Sequence, residues 1–109
     1  MGEFGRTPGE LNLSGGRDHH RNAMTALMIG GGVKGGRAIG ITDREGAEVT
    51  DPGWSANRAI YPEDIASTIY SAMGINWTRS ISDTPSGRRF EYVPYADQGR
   101  FLPVEEVFG

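Results

Sequence analysis

The chain contains no cysteine. Disulfides and thiolate metal sites are therefore excluded, and the redox compartment stays open. It also lacks the run of about 18 apolar residues that a membrane-spanning helix needs. Its first residues carry neither the basic nor the apolar region of a signal peptide. Positive charge is not in excess: 11 Lys and Arg stand against 14 Asp and Glu, for a net charge of −3. Nothing in that balance favours nucleic acid as a partner. Apolar residues are scarce, at 37 % against a usual share of roughly 45–50 % that includes glycine. What the chain has in quantity is glycine, 17 of 109 residues, more than twice the average share of about 7 %. Each glycine costs folding entropy, so turns and loops should dominate. The length bounds the chain to one domain with a small core.

Residues 1–22 read as polar and irregular. Ala23-Met24-Thr25-Ala26-Leu27-Met28-Ile29-Gly30 is the strongest apolar run. It is short and closed by glycine, which predicts a buried strand. A glycine loop follows over 30–36, and Arg37 to Thr42 predicts a second strand. Asp43-Arg44-Glu45-Gly46 reads as a turn that folds Ala47-Glu48-Val49 back as a hairpin. Residues 62–73 predict a helix. Pro62 suits the first helical position, Glu63 and Asp64 suit the positive end of the dipole, and Gly74 is a natural stop. Ile65, Ile69, Ala72 and Met73 form an apolar stripe at helical spacing. That stripe predicts packing on a sheet that includes the 23–30 strand. The apolar tail from Phe101 to Phe108 is expected to dock on the body of the fold.

Chemistry concentrates near the start. Glu3 and Asp18, His19 and His20, and Arg6 and Arg17 all fall within the first twenty residues. Imidazole and carboxylate are standard ligands for zinc, manganese or iron. Adjacent side chains point apart, so one histidine of the pair would ligate and the other would support the ligands from behind or pack. The other reading of Arg17-Asp18-His19-His20 is a solvated polar loop, because strong metal motifs repeat the ligand pair. Glu3, between Gly2 and Phe4-Gly5, is free to project. Arg6 is able to hold a phosphate or sulfate through two N–H groups, or simply to pair with a carboxylate on the surface. Gly30, Gly32 and Gly35 match G-x-G-x-x-G, but a dinucleotide site needs a helix next, and the sequence continues as a strand. Asn76-Trp77-Thr78 fits a glycosylation acceptor, a pattern common by chance. Trp54, Trp77 and Tyr70 read as packing residues in an acidic chain.

Taken in order, Gly2-Glu3-Phe4-Gly5-Arg6-Thr7-Pro8, Gly16-Arg17-Asp18-His19, Gly30-Gly31-Gly32-Val33-Lys34-Gly35-Gly36, and Pro62-Glu63-Asp64-Ile65-Ala66 to Gly74-Ile75 resemble the C-terminal part of the DUF1501 family. This is a bacterial family grouped with alkaline phosphatases and sulfatases. The resemblance implies an α/β fold, with residues 1–109 forming the C-terminal fragment of a single alkaline-phosphatase-like three-layer α/β/α domain. It implies a metal-dependent, sulfatase-like hydrolase of phosphate or sulfate esters, small-molecule or glycan, exported to the periplasm or beyond the cell. The superfamily often carries Asp-His-Gly after a core strand, with both side chains on metal. Glu3-Phe4-Gly5 stands in that place, and Phe4 cannot ligate.

On this resemblance Glu3 and His19 would be metal ligands, and Asp18 a further ligand or a neighbour supporting them. Arg6 and Arg17 would hold the anion, and the ion would be divalent zinc, manganese or calcium. No nucleophile is placed by these motifs, so the chain alone is expected to be inactive. The alternative is a non-catalytic scaffold or binding protein with a degenerate metal site. The expectation for the geometry is that Glu3 and His19 converge at one end of a sheet.

Overall fold

The computed structural model describes residues 1–109. It is a small mixed α/β structure with short antiparallel sheets, each of two strands. The chain divides into two compact units, Met1–Ala59 and Ile60–Gly109. No helix is long and apolar enough to cross a membrane.

The first unit holds two ladders. β1 (Gly5–Arg6) pairs antiparallel with β2 (His19–His20), and β3 (Ile41–Thr42) pairs antiparallel with β4 (Val49–Asp51). The second hairpin turns where the sequence predicts. Asp43 Oδ1 accepts from the Ala47 N–H at 2.7 Å, and the Asp43 carbonyl accepts from the Gly46 N–H at 3.1 Å. Its first strand is shorter than predicted, because Arg37 to Gly40 stay outside the ladder. Residues 23–30 form no strand at all. The expected buried strand is corrected to an unpaired segment, with Leu27 80 % and Ile29 83 % exposed. Apolar composition favours a strand only where a partner edge exists. The longest strand here has three residues, so the chain offers no edge long enough.

The hairpins are tied by polar contacts. His20 Nε2 donates to the Ala47 carbonyl at 2.8 Å, and Asn22 Nδ2 donates to Glu48 Oε1 at 2.6 Å. Because a carbonyl only accepts, His20 must carry a proton on Nε2. Trp54 is buried, its indole N–H donating to the Arg58 carbonyl and the Arg58 guanidinium lying 4.8 Å from its ring centre.

The second unit is built on α1 (Pro62–Ala72). Pro62 occupies the first turn, and Asp64 Oδ2 accepts from the Tyr61 N–H at 2.8 Å. The helix ends in a Schellman turn: Gly74 N–H reaches the Ser71 carbonyl at 3.0 Å, and Ile75 N–H reaches the Tyr70 carbonyl at 2.9 Å. Gly74 sits at φ 71°, the left-handed conformation that this stop requires and that glycine adopts without a Cβ penalty. β5 (Ser80–Ile81) and β6 (Phe90–Glu91) then form the third ladder.

The helix does not bury the face that its apolar stripe predicts. Ile69 is 47 % and Met73 67 % exposed, while Asp64, Ser67 and Thr68 are fully buried. The tail explains the rotation. Leu102 N–H donates to Asp64 Oδ1 at 2.9 Å, and Val104 N–H donates to Thr68 Oγ1 at 2.9 Å. Thr68 in turn donates to the Asp64 carbonyl at 2.7 Å. These polar groups must face the tail, so Ile69, Ala72 and Met73 turn outward while Ile65 stays half-buried. The tail docks as expected, with Phe101, Val104 and Val107 buried. Val93, Ala96 and Phe101 form the core, against which Ala66, Tyr70 and Trp77 pack. Tyr70 also stacks on Tyr92, with ring centres 5.5 Å apart.

Two substitutions separate these faces. Thr68→Val leaves the Val104 N–H buried without an acceptor and should cost about 1–3 kcal/mol. Ile69→Ala removes side-chain atoms that solvent already reaches and should change stability by no more than about 0.5 kcal/mol. Denaturant unfolding of both variants beside the parent chain measures the difference. A larger loss from Ile69→Ala would restore the apolar stripe as the buried face.

Candidate functional site

β1 and β2 bring the two chemical motifs of the N-terminal segment together. Their register sets Arg6 opposite His19 and Gly5 opposite His20. Directly opposed residues share a face of the ladder, as do residues two apart on one strand. Phe4, Arg6 and His19 therefore meet on one side. The Phe4 and His19 rings lie 3.7 Å apart between centres, tilted by 36°. The Arg6 guanidinium sits 5.0 Å from the centre of the Phe4 ring, within cation–π range. Arg6 also pairs with Glu3, Nη2 to Oε1 at 3.7 Å, with both side chains in solvent.

The pairing depends on Gly5. A Cβ there would fall on the Ala23 carbonyl oxygen and lie 2.8 Å from the His20 carbonyl oxygen. Both obstacles are backbone, so no side-chain rotation relieves the clash. Glycine between Phe4 and Arg6 is thus a packing requirement of the hairpin.

The loop from Thr7 to Asp18 closes the hairpin through its own polar groups. Thr7 and Asp18 exchange two bonds: the Thr7 N–H to the Asp18 carbonyl at 3.0 Å, and the Asp18 N–H to Thr7 Oγ1 at 3.1 Å. Arg17 Nη1 donates to the carbonyls of Thr7 at 2.7 Å and Gly9 at 2.9 Å. Asn12 Oδ1 accepts from the N–H groups of Ser14 and Gly16, and Asn12 Nδ2 donates to Asp18 Oδ1 at 2.9 Å.

The expected site residues fall into two groups. Glu3, Arg6 and His19 gather at β1 and β2, joined by Phe4. Asp18 and Arg17 engage the intervening loop, one on Asn12 and the other on backbone carbonyls. His19 makes no hydrogen bond within the chain, which leaves both ring nitrogens available. No group of three or more His, Asp or Glu side chains is arranged to hold a metal ion. The exposed face therefore offers an imidazole and a guanidinium against an aromatic ring, with a carboxylate on the guanidinium. Such a face can donate a ligand atom, accept a proton or attract an anion.

Sequence reasoning gives His20 no role beyond that of the non-ligating histidine of the pair, and Asn12 none. The Asn12-Leu13-Ser14-Gly15-Gly16 run carried a legible signal, since Asn before Ser and Gly favours a side-chain-to-backbone turn. His20 carried none, because its partner is the Ala47 backbone, which no side chain encodes.

Gly5→Ala should separate β1 from β2 and destabilise the unit by about 1–3 kcal/mol. The His19 ring resonances should lose the ring-current displacement caused by Phe4, as read by proton NMR. Retention of that displacement in a stable Gly5→Ala variant would show that the hairpin tolerates a Cβ.

No curated protein and no solved structure matches the chain. The family model described as protein of unknown function (DUF1501) matches residues 1–101. Over nearly its whole length, from the Glu3-Phe4-Gly5-Arg6 hairpin to the start of the docking tail, the chain belongs to the DUF1501 family.

Proposed function

We propose that this chain is the C-terminal part of a metal-dependent phosphate or sulfate ester hydrolase-like protein with an alkaline-phosphatase-like α/β/α fold. One observation carries the reading: the β1–β2 ladder sets Arg6 opposite His19, with Glu3 on Arg6. That arrangement joins the two motifs that would lie at such a site. Glu3 and His19 supply two donor groups, where a zinc site takes three protein ligands or more. The donors present do not make a complete site for zinc, manganese or calcium. Under this reading the remaining ligands and the nucleophile come from residues outside these 109. Arg6 would draw the ester's anionic group towards the face, its own charge offset by Glu3. His19, with both ring nitrogens available, is the group able to ligate or to carry a proton. Arg17 acts through the loop that it closes.

Phe4 favours a second reading. It occupies the place of a superfamily histidine, and its ring packs on His19 and beneath Arg6. A ring so placed suits a scaffold that binds glycans or other partners without catalysis.

The chain alone should turn over neither aryl phosphate nor aryl sulfate esters, with zinc, manganese or calcium added. Zinc at high concentration should perturb the His19 ring resonances, and Glu3→Gln should weaken that response. Turnover abolished by His19→Ala would overturn the incomplete-site reading. A His19 resonance indifferent to zinc would remove His19 as a donor and favour the scaffold.

A further inference from the structure

The β5–β6 ladder of the second unit sets Ile81 opposite Phe90 and Ser80 opposite Glu91. Beside it runs an open groove of about 360 Å³, lined by Arg88, Arg89, Phe90, Glu91 and Pro94. That volume lies within the small-ligand range of roughly 300–1,000 Å³. The two guanidiniums differ in what they already hold. Arg89 is committed: Nε donates to Ser80 Oγ at 2.9 Å, Nη1 lies 3.6 Å from Glu91 Oε1, and Nη2 lies 3.9 Å from Asp97 Oδ2. Glu91 Oε2 accepts from the Tyr95 N–H at 2.9 Å, so both oxygens of that carboxylate are engaged. This bond also holds Tyr95 in left-handed backbone at φ 59°, an uncommon state for a bulky residue, next to the Pro94 wall. The Arg88 guanidinium makes no hydrogen bond or ion pair within the chain and lies 5.2 Å from the centre of the Phe90 ring. Its backbone is fixed instead, the N–H donating to Ser86 Oγ at 3.3 Å and the carbonyl accepting from Thr84 Oγ1 at 2.9 Å. Phe90 itself is 48 % exposed.

We propose that this groove binds a small ring-bearing carboxylate, its two oxygens on the Arg88 guanidinium and its ring against Phe90 and Pro94. The chemistry of the lining selects that class. A free guanidinium presents parallel N–H groups that match the two oxygens of a carboxylate. The groove lining carries two guanidiniums and one carboxylate, an excess of one positive charge that suits a monoanion. A dianion such as a phosphate monoester would need more positive charge than Arg88 alone supplies, and it would meet Glu91. Phe90 and Pro94 supply the apolar surface that small-molecule sites pair with a few placed polar groups. All of these residues belong to the second unit, so the inference does not rest on the hydrolase reading of the Arg6 and His19 face.

Titration of the whole chain with benzoate, acetate and benzamide, followed by NMR, tests it. Benzoate at millimolar concentration should shift the Arg88 side-chain Nε–H signal and the amide signals of residues 88–91. Acetate lacks the ring and benzamide lacks the charge, so each should bind about fivefold more weakly or worse. Phenyl phosphate should bind no more tightly than benzoate. Arg88→Gln should weaken benzoate binding by about fivefold or more. Its side chain is exposed, so the fold should survive, and the amide signals of Val93 and Ala96 check that it does. Phe90→Leu should bring benzoate down to the affinity of acetate. Arg44→Gln, an exposed arginine of the first unit, should leave benzoate binding unchanged. No shift at residues 88–91 would overturn the proposal, and so would shifts confined to Arg6 and His19. Equal affinity for acetate or benzamide, tighter binding of phenyl phosphate, or benzoate binding that survives Arg88→Gln would do the same.

Discussion

Asp64 and Thr68 present oxygens from the buried side of α1, and the backbone N–H groups of Leu102 and Val104 come to meet them. The second unit depends on this contact. It holds a tail that has no strand partner, and it fixes the rotation of the helix. Both follow from the rule that a buried polar group must be paired. Once Asp64 and Thr68 face the tail, Ala66 and Tyr70 face Val93, Ala96 and Phe101. The more hydrophobic Ile69 and Met73 are left outside. Hydrophobic burial is non-directional and tolerates rotation, whereas a paired set of donors and acceptors does not.

The same logic runs through the first unit, where apolar burial is thinner still. Side chains reach backbone carbonyls where longer ladders would otherwise join the chain. Arg17 closes the Thr7–Asp18 loop, and His20 joins the first hairpin to the Ala47 turn. Two guanidiniums that look equivalent in sequence therefore differ in office. Arg17 organises the loop, while Arg6 stays at the surface against Phe4 and Glu3. The face that results joins an aromatic ring to an imidazole free of other bonds, positioned by a glycine that admits no Cβ.

Features set by local chemistry were legible before the fold. Pro62, the acidic first turn and Gly74 bound the helix to within a residue of its end. Asp43 and Gly46 placed the hairpin turn, and the motif order marked the family. Features set by distant partners were not legible. The 23–30 run reads as a strand, but a strand needs an edge, and composition does not say whether one exists. The buried side of α1 is chosen by Leu102 and Val104, more than thirty residues downstream. Their contribution is backbone N–H, identical for nearly every residue. In the candidate site, the residue types Glu3, Arg6 and His19 were visible, but the separation of Asp18 and Arg17 from them was not. Asp18 is engaged by Asn12, and Arg17 by the Thr7 and Gly9 carbonyls.

On the proposed hydrolase reading, Phe4 stands where a metal donor would lie beside His19, and the ligand set is short. Phe4→His tests this directly, with zinc binding followed by calorimetry and by the His19 ring resonances. With Glu3 and His19 already on the same hairpin, the new imidazole should tighten zinc binding by roughly tenfold or more, about 1.4 kcal/mol. It should also broaden or shift the His19 signals at lower zinc. Unchanged affinity, with His19 undisturbed, would show that the hairpin face is not built around a metal and would contradict the account.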